Sequence, residues 1–136
     1  MGIGRFDHYN IKTAKPEETI RFYTTVLGLV NAPHLRPAVD RPGTWILVDG
    51  HPYIHVNFVE DDRAARTGAI DHLGFVGTDY EGLRDHLLRL AVMFEEAENR
   101  RANLRQIYVT DPNQIRIEIN IPFDFGAEGS SAEEPR

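Results

Sequence analysis

The chain of 136 residues contains no cysteine, which excludes disulfide bonds, thiolate zinc sites, iron–sulfur clusters and a cysteine nucleophile. It also lacks a surplus of basic residues, because 15 Lys and Arg against 21 Asp and Glu give a formal charge of −6. That balance argues against nucleic acid or an anionic membrane as a partner. No apolar run has the length of a membrane span or a signal peptide, so the cytoplasm is the expected location.

The first half of the chain has the pattern of a strand, a helix and further strands. Side chains alternate from Phe6 to Ile11, which predicts a strand, and helical spacing follows from Pro16 until Gly28 ends the helix. Three prolines between Asn31 and Gly43 predict a loop. Two further strands are predicted, joined by a turn at Asp49 to Pro52: Trp45 to Val48 and Tyr53 to Val59.

The second half has the same order of elements. A strand is predicted from Ile70 to Val76, and Thr78 with Glu81 forms a capping box before a helix marked by three leucines. Three strands should follow: a short edge strand from Val92 to Phe94, then Leu104 to Thr110 and Ile115 to Ile121.

The two halves resemble each other as copies of one unit. Phe6-Asp7-His8 recurs 64 positions later as Ile70-Asp71-His72, and His55 in a late strand corresponds to Glu118, 63 positions later. An internal repeat of this length sets the architecture of the whole chain. We therefore expect a first module over residues 1–60, a connection over 61–69, a second module over 70–125 and a flexible tail over 126–136.

Four side chains at equivalent positions of the two copies have the chemistry of a metal site. They are His8, His72, His55 and Glu118. Two imidazoles and one carboxylate with open positions form the facial triad of non-haem iron(II) sites. A single strand histidine is more often a packed or solvent-facing residue, but its duplication and a carboxylate between two isoleucines favour a ligand set.

The stretches FDHYNIKTAKPEETIRFYTTVLGL, IDHLGF and QIYVTDPNQIRIEIN resemble the vicinal oxygen chelate superfamily of glyoxalases, extradiol dioxygenases and bleomycin-sequestering proteins. The resemblance extends from Phe6 to Ile121. It implies an α+β fold in which two βαβββ modules form a curved mixed sheet around a metal cleft. It also implies that His8, His72 and Glu118 are the metal ligands.

The resemblance suggests roles for several other residues. His55 is expected either as a fourth ligand, as in glyoxalases, or as an acid/base residue beside the metal, as in extradiol dioxygenases. Tyr108 fits the extradiol signature before Glu118, although Gln114 stands where that signature has glycine. Asn10, which shares a strand face with His8, is a candidate substrate contact or a structural residue. Trp45 and Arg105 are further candidate contacts, with core packing as the alternative for Trp45 and a solvated loop for Arg105.

Three functions remain open at this point. The favoured one is an extradiol-type dioxygenase that cleaves a catechol-like substrate with vicinal oxygens, using iron(II), with manganese, nickel or zinc as other candidates. The second is a glyoxalase-type lyase or isomerase, and the third is a drug-binding protein without catalysis. A homodimer is expected, since family members commonly pair chains.

Overall fold

The computed structural model describes residues 2, 4–39, 41–61 and 67–126. The chain divides into two compact units, Met1–Ala65 and Arg66–Arg136. Among the described residues, no helix is long and apolar enough to cross a membrane.

The first unit is a four-stranded mixed sheet with one helix. Its elements are β1 (Tyr9–Thr13), α1 (Pro16–Arg21), which continues as a π-helical turn (Phe22–Val26), β2 (Val30–Asn31), a 3-10 helix (Pro33–Leu35), β3 (Gly43–Val48) and β4 (His51–Phe58). The sheet order is β1-β4-β3-β2, with β1 parallel to β4 and the other pairs antiparallel.

The second unit repeats this topology. Its elements are β5 (His72–Val76), α2 (Tyr80–Arg89), β6 (Glu95–Asn99), β7 (Leu104–Thr110) and β8 (Arg116–Pro122). The sheet order is β5-β8-β7-β6, and again only the first and last strands pair in parallel. The α+β class and the order strand, helix, three strands in each half are therefore confirmed.

One face of each sheet forms the core, because successive side chains of a strand point to opposite faces. In the first unit this face includes the fully buried Ile46, Ile54 and Val56. The helix α1 lies on it, since Thr19 of α1 and Thr13 of β1 are both buried and their hydroxyls are 3.2 Å apart. The side chains on the opposite face of the sheet are not part of this core.

The second unit is built in the same way. Its core face includes Ile107 and Ile117, both fully buried. The helix α2 lies on this side, because the Arg105 guanidinium of β7 stacks 3.7 Å over the Tyr80 ring of α2. Leu87 of α2 is fully buried as well.

Two first strands begin later than the sequence predicts. The strand expected from Phe6 begins at Tyr9, so His8 precedes it, and the strand expected from Ile70 begins at His72. The pairing with the last strand starts only at these residues, which is where backbone hydrogen bonds define the strand. Each histidine therefore lies at the entrance of its strand.

The expected loop from Asn31 to Gly43 and the turn that follows β3 also differ from expectation. The loop contains the end of β2 and the 3-10 helix, because Asn31 pairs with Ile46 of β3. The turn between β3 and β4 has only two residues, Asp49 and Gly50, both with positive φ. Such a turn suits the twist of a β-hairpin and lets β4 start at His51.

Two further predictions in the second half were wrong. The edge strand is β6 rather than the apolar Val92 to Phe94, since the charged segment pairs along its whole length with β7. An edge strand tolerates charged side chains because one side of it faces solvent. The helix cap is Asp79 rather than Thr78, as the Asp79 carboxylate accepts a hydrogen bond from the Gly82 amide.

The helix α2 offers a matched test of this packing. Leu87 is fully buried, whereas its neighbour Leu88 is 53% exposed. We expect Leu87→Ala to lower the free energy of unfolding by about 2–5 kcal/mol, because the lost contacts leave a cavity. Leu88→Ala should cost less than about 1 kcal/mol. Chemical denaturation measures both, and equal effects of the two substitutions would contradict the packing described.

A second test uses Glu96 of β6, which accepts hydrogen bonds of 2.7 Å from the Tyr80 hydroxyl and from Arg84 Nε. These two hydrogen bonds hold the pKa of Glu96 below its usual value, and the bond from Tyr80 has the larger effect. Because the folded pKa is lowered, the stabilisation is present above the unfolded pKa of about 4.3 and is lost as the pH falls through the folded pKa.

Glu96→Gln should therefore lower the melting temperature at neutral pH. In acid the difference in melting temperature between this variant and the wild type should disappear. The site is partly exposed, so a few tenths to about 1 kcal/mol is expected. Thermal denaturation between pH 3 and 7 measures the difference between the two proteins. A difference that is independent of pH would show that the Glu96 charge has no part in it.

Candidate metal and substrate site

Each unit contains a histidine that is bonded to the aspartate before it. His8 Nδ1 lies 2.5 Å from the Asp7 carboxylate, and His72 Nδ1 lies 2.8 Å from the Asp71 carboxylate. A carboxylate accepts, so the ring nitrogen donates and the proton is on Nδ1. In the neutral form of each ring this leaves the Nε2 lone pair for a metal ion, as is usual for histidine ligands with a carboxylate partner.

Glu118 of β8 lies beside His72 in the second unit. Its Oε2 atom is 3.8 Å from His72 Nε2 and accepts a hydrogen bond of 2.9 Å from Asn120. Its Oε1 atom accepts a bond of 2.8 Å from the Tyr108 hydroxyl. The bond from Asn120, followed by that from Tyr108, lowers the pKa of Glu118, so the carboxylate is ionised at neutral pH.

The register of the sheet decides that these groups meet. Tyr108 pairs directly with Glu118 across β7 and β8, so both side chains point to the face opposite the core. On the other side of β8, Gly74 of β5 pairs with Glu118. A Cβ atom at Gly74 would lie 3.8 Å from Glu118 Oε2, which is an ordinary van der Waals distance, so Gly74 directly adjoins the carboxylate.

In the first unit three aromatic rings form a stack. The His55 ring lies between His8, at 3.8 Å between centroids and 11° between planes, and Trp45, at 4.4 Å and 14°. Burial, and then the neighbouring His8, lower the pKa of His55, so its imidazole is neutral at pH 7. A neutral ring can donate a proton from one nitrogen and accept one at the other.

The repeat relates these residues in pairs. His55 pairs with Trp45 and Asn10 in its sheet, as Glu118 pairs with Tyr108 and Gly74 in the other. His55 thus occupies the position of Glu118, and Trp45 the position of Tyr108. Asn10, which sequence analysis predicts as a candidate substrate contact, is exposed and lies beside His55 on the same face of the sheet.

Arg105 lies away from these groups. It belongs to the core face of β7, where its guanidinium stacks on Tyr80 and lies 3.2 Å from the Glu81 carboxylate. Tyr108 and Glu118 point to the opposite face of the same sheet. We therefore leave Arg105 out of the proposed site.

The donor groups suit a divalent transition metal, since two imidazole nitrogens and an ionised carboxylate match the ligand types of such sites. Within either unit taken by itself, the described residues include no group of three His, Asp or Glu side chains arranged around a metal position. The expected ligand set of His8, His72 and Glu118 draws on both units.

The profile of the Glyoxalase/Bleomycin resistance protein/Dioxygenase superfamily matches residues 5–119 of the chain. The chain belongs to this superfamily. No curated protein matches it in sequence. Its name covers glyoxalases, bleomycin resistance proteins and dioxygenases, so membership alone leaves the reaction open.

Solved structures with three different descriptions share the fold. A variant of the fosfomycin resistance protein FosX from Listeria monocytogenes, in complex with Mn(II) and 1S,2S-dihydroxypropylphosphonic acid, has a TM-score of 0.72 at 13% identity, covering 97% of this chain and 100% of that one. A glyoxalase/dioxygenase from Nostoc punctiforme has a TM-score of 0.71 at 16% identity, covering 88% and 92%. The antibiotic-binding protein TnmS3 from a Streptomyces species has a TM-score of 0.68 at 20% identity, covering 90% and 98%.

Sequence analysis alone missed the residues that orient the candidate ligands in this superfamily member. Asp7 and Asp71 precede the two histidines in both copies of the repeat, and that duplication was a readable signal. Asn120 follows Glu118 by two residues, as Asn57 follows His55. Gln106, which donates to Asn120 at 2.8 Å, has no such signal, because its role depends on strand register.

Proposed function

We propose that this chain is a metal-dependent enzyme in which His8, His72 and Glu118 bind one divalent metal ion. The observation that supports this most strongly is the duplicated Asp–His pair, which leaves one Nε2 lone pair available in each unit. The ionised Glu118 beside His72 supplies a carboxylate of matching charge. Iron(II) is the metal we propose first, with manganese, nickel and zinc as alternatives.

The metal, when bound, would act as a Lewis acid toward a substrate with two adjacent oxygens. The protein's own groups hold the ligands in the correct state. Asp7 and Asp71 keep the proton on Nδ1 of their histidines. Tyr108 and Asn120 fix the Glu118 carboxylate through hydrogen bonds, one to each oxygen.

The stack in the first unit supports a role for His55 beside the metal rather than on it. A ligand nitrogen directs its lone pair within the plane of its ring. The His8 and His55 rings are stacked within 11° of parallel, so one ion cannot lie in both planes while this arrangement holds. His55 is instead suited to accept a proton from a substrate hydroxyl and return it, as a neutral imidazole does at operating pH.

This role favours an extradiol-type dioxygenase that acts on a catechol-like substrate. Tyr108 supports the same choice, because its hydroxyl lies on the face of Glu118 and burial keeps it protonated by raising its pKa. The alternative is a glyoxalase-type lyase or isomerase, which requires the stack to open so that His55 becomes a ligand. The cytoplasmic location and the homodimer remain predictions.

A binding protein without metal is the candidate from another class. The fold of TnmS3, described as an antibiotic-binding protein, is compatible with it. The retention of two oriented histidines and an ionised carboxylate counts against it, because a purely apolar pocket needs none of them. Metal content distinguishes the two functions directly.

We expect the protein purified without chelators to bind one divalent ion per chain. Alanine at His8, His72 or Glu118 should lower the affinity for the metal. The loss should be at least about 10- to 100-fold, which is the range typical for losing a group that only orients a ligand. Elemental analysis and calorimetric titration with Mn(II) measure this. His34→Ala is the control, since His34 is exposed on the 3-10 helix. A wild-type protein that binds no metal, or equal loss in the control, would overturn the ligand assignment.

His55→Ala separates the two enzymatic readings. If His55 transfers protons, metal content should stay near the wild-type level while turnover falls by about 10²–10⁴-fold. If His55 is a ligand, metal affinity falls first and excess metal restores part of the activity. Metal analysis is combined with assays on a panel of catechols, thiol adducts and keto acids. Metal content that falls in step with activity would shift the assignment to a lyase or isomerase.

A further inference from the structure

Arg36 is a half-buried arginine for which the proposed function has no role. It follows the 3-10 helix of the first unit, and its two terminal nitrogens donate to the Arg41 carbonyl at 2.8 Å and to the Asn57 side-chain oxygen at 3.5 Å. Among the residues that the structure describes, no carboxylate lies within ion-pair distance of it. A guanidinium withdrawn from water normally has an anionic partner.

The guanidinium lies over the backbone of Gly43. A Cβ atom at Gly43 would be 3.1 Å from Arg36 Cζ and would clash with the Val56 carbonyl oxygen, so glycine is required at this position. Gly43 pairs with Asn57, and Trp45 pairs with His55 on the same two strands. Alternation therefore places the Arg36 guanidinium on the face that holds Trp45 and His55.

A second cation lies at the same level of the sheet. Lys12 of β1 pairs with Asn57 from the other side of β4, and Asn57 is about 7 Å along the strand from His55. The paired strand residues of this face contain no carboxylate: Asn10, Lys12, Gly43, Trp45, His55 and Asn57. Among the described residues, this face thus has two cations and no paired-strand carboxylate at one end, and the stacked histidines at the other.

We propose that Arg36, assisted by Lys12, binds an anionic group of the substrate, so that the substrate is a small organic acid rather than a neutral molecule. The inference rests on the proposed function, with the reacting oxygens at the His8 and His55 end and the anionic group two residues further along β4. Two of the five guanidinium N–H groups are used by Arg41 and Asn57. The other three can donate to both oxygens of a carboxylate or to a phosphonate.

Paired aromatic probes test this site. Trp45 is the only tryptophan of the chain and lies on the same face, so its fluorescence reports binding, with calorimetry as the second measurement. We expect metal-loaded protein to prefer 3,4-dihydroxybenzoate over the neutral 3,4-dihydroxybenzamide by about 10- to 100-fold, as a charge-assisted hydrogen bond implies. Benzoate and phenylphosphonate, titrated without metal, show which kind of anion fits better.

Arg36→Gln should remove the preference for the acid, while Arg36→Lys should keep part of it because the charge remains. The matched control is Arg41→Gln, which loses the same charge from the same segment. It should retain the preference, since only the Arg41 backbone carbonyl contacts Arg36. Circular dichroism of all variants confirms that they are folded.

The outcomes separate this inference from the proposed function. Binding of benzoate to the metal-free wild type, and the loss of that binding in Arg36→Gln, support the anion site even if no metal is bound. Equal affinity of the acid and the amide for the wild type, or an unchanged preference in Arg36→Gln, overturns it. Equal loss in Arg41→Gln also overturns it, because the effect would then come from net charge alone.

Discussion

The parallel pairing of the first and last strands in each unit is the constraint on which the site depends. It places the entrance of β1 beside Ile54 in the middle of β4 and the entrance of β5 beside Arg116 at the start of β8. The histidine at each entrance is thereby brought next to His55 in one unit and Glu118 in the other. The face of each sheet that packs against the helix is filled by isoleucines and valines. The polar side chains of the site therefore point to the other face of the sheet.

The chemistry of the site follows from what each polar group is bonded to. The carboxylates of Asp7 and Asp71 fix the tautomer of the neighbouring histidines, and Tyr108 with Asn120 fixes Glu118. These hydrogen bonds orient the proposed ligand groups, so a metal at the proposed site would require little further ordering of them. The two units use the same position differently, with a neutral imidazole in one and an ionised carboxylate in the other.

The errors of the sequence analysis have a common physical cause. The charged segment of β6 is a strand because β7 offers it backbone hydrogen bonds, which no side-chain pattern reveals. Asp79 caps α2 with a positive φ of 53°, a conformation that aspartate tolerates better than most residues and that the Thr78 capping box does not anticipate. In each case hydrogen bonds between backbone groups, or from a backbone amide to a side chain, outweighed the local preference.

The sequence by itself determined the repeat, the α+β class and the strand positions of β7 and β8, because alternation and the spacing between copies are properties of the chain. It also singled out His8, His72 and Glu118 as residues to test. Only the tertiary structure decided which side chains share a face: Tyr108 lies with Glu118, whereas Arg105 points to the core side. Likewise Arg36, twenty-one positions before Asn57, is brought to it by the packing of a loop over Gly43. Strand register and loop packing depend on contacts between distant segments, and a pattern along the chain contains no information about which of them will meet.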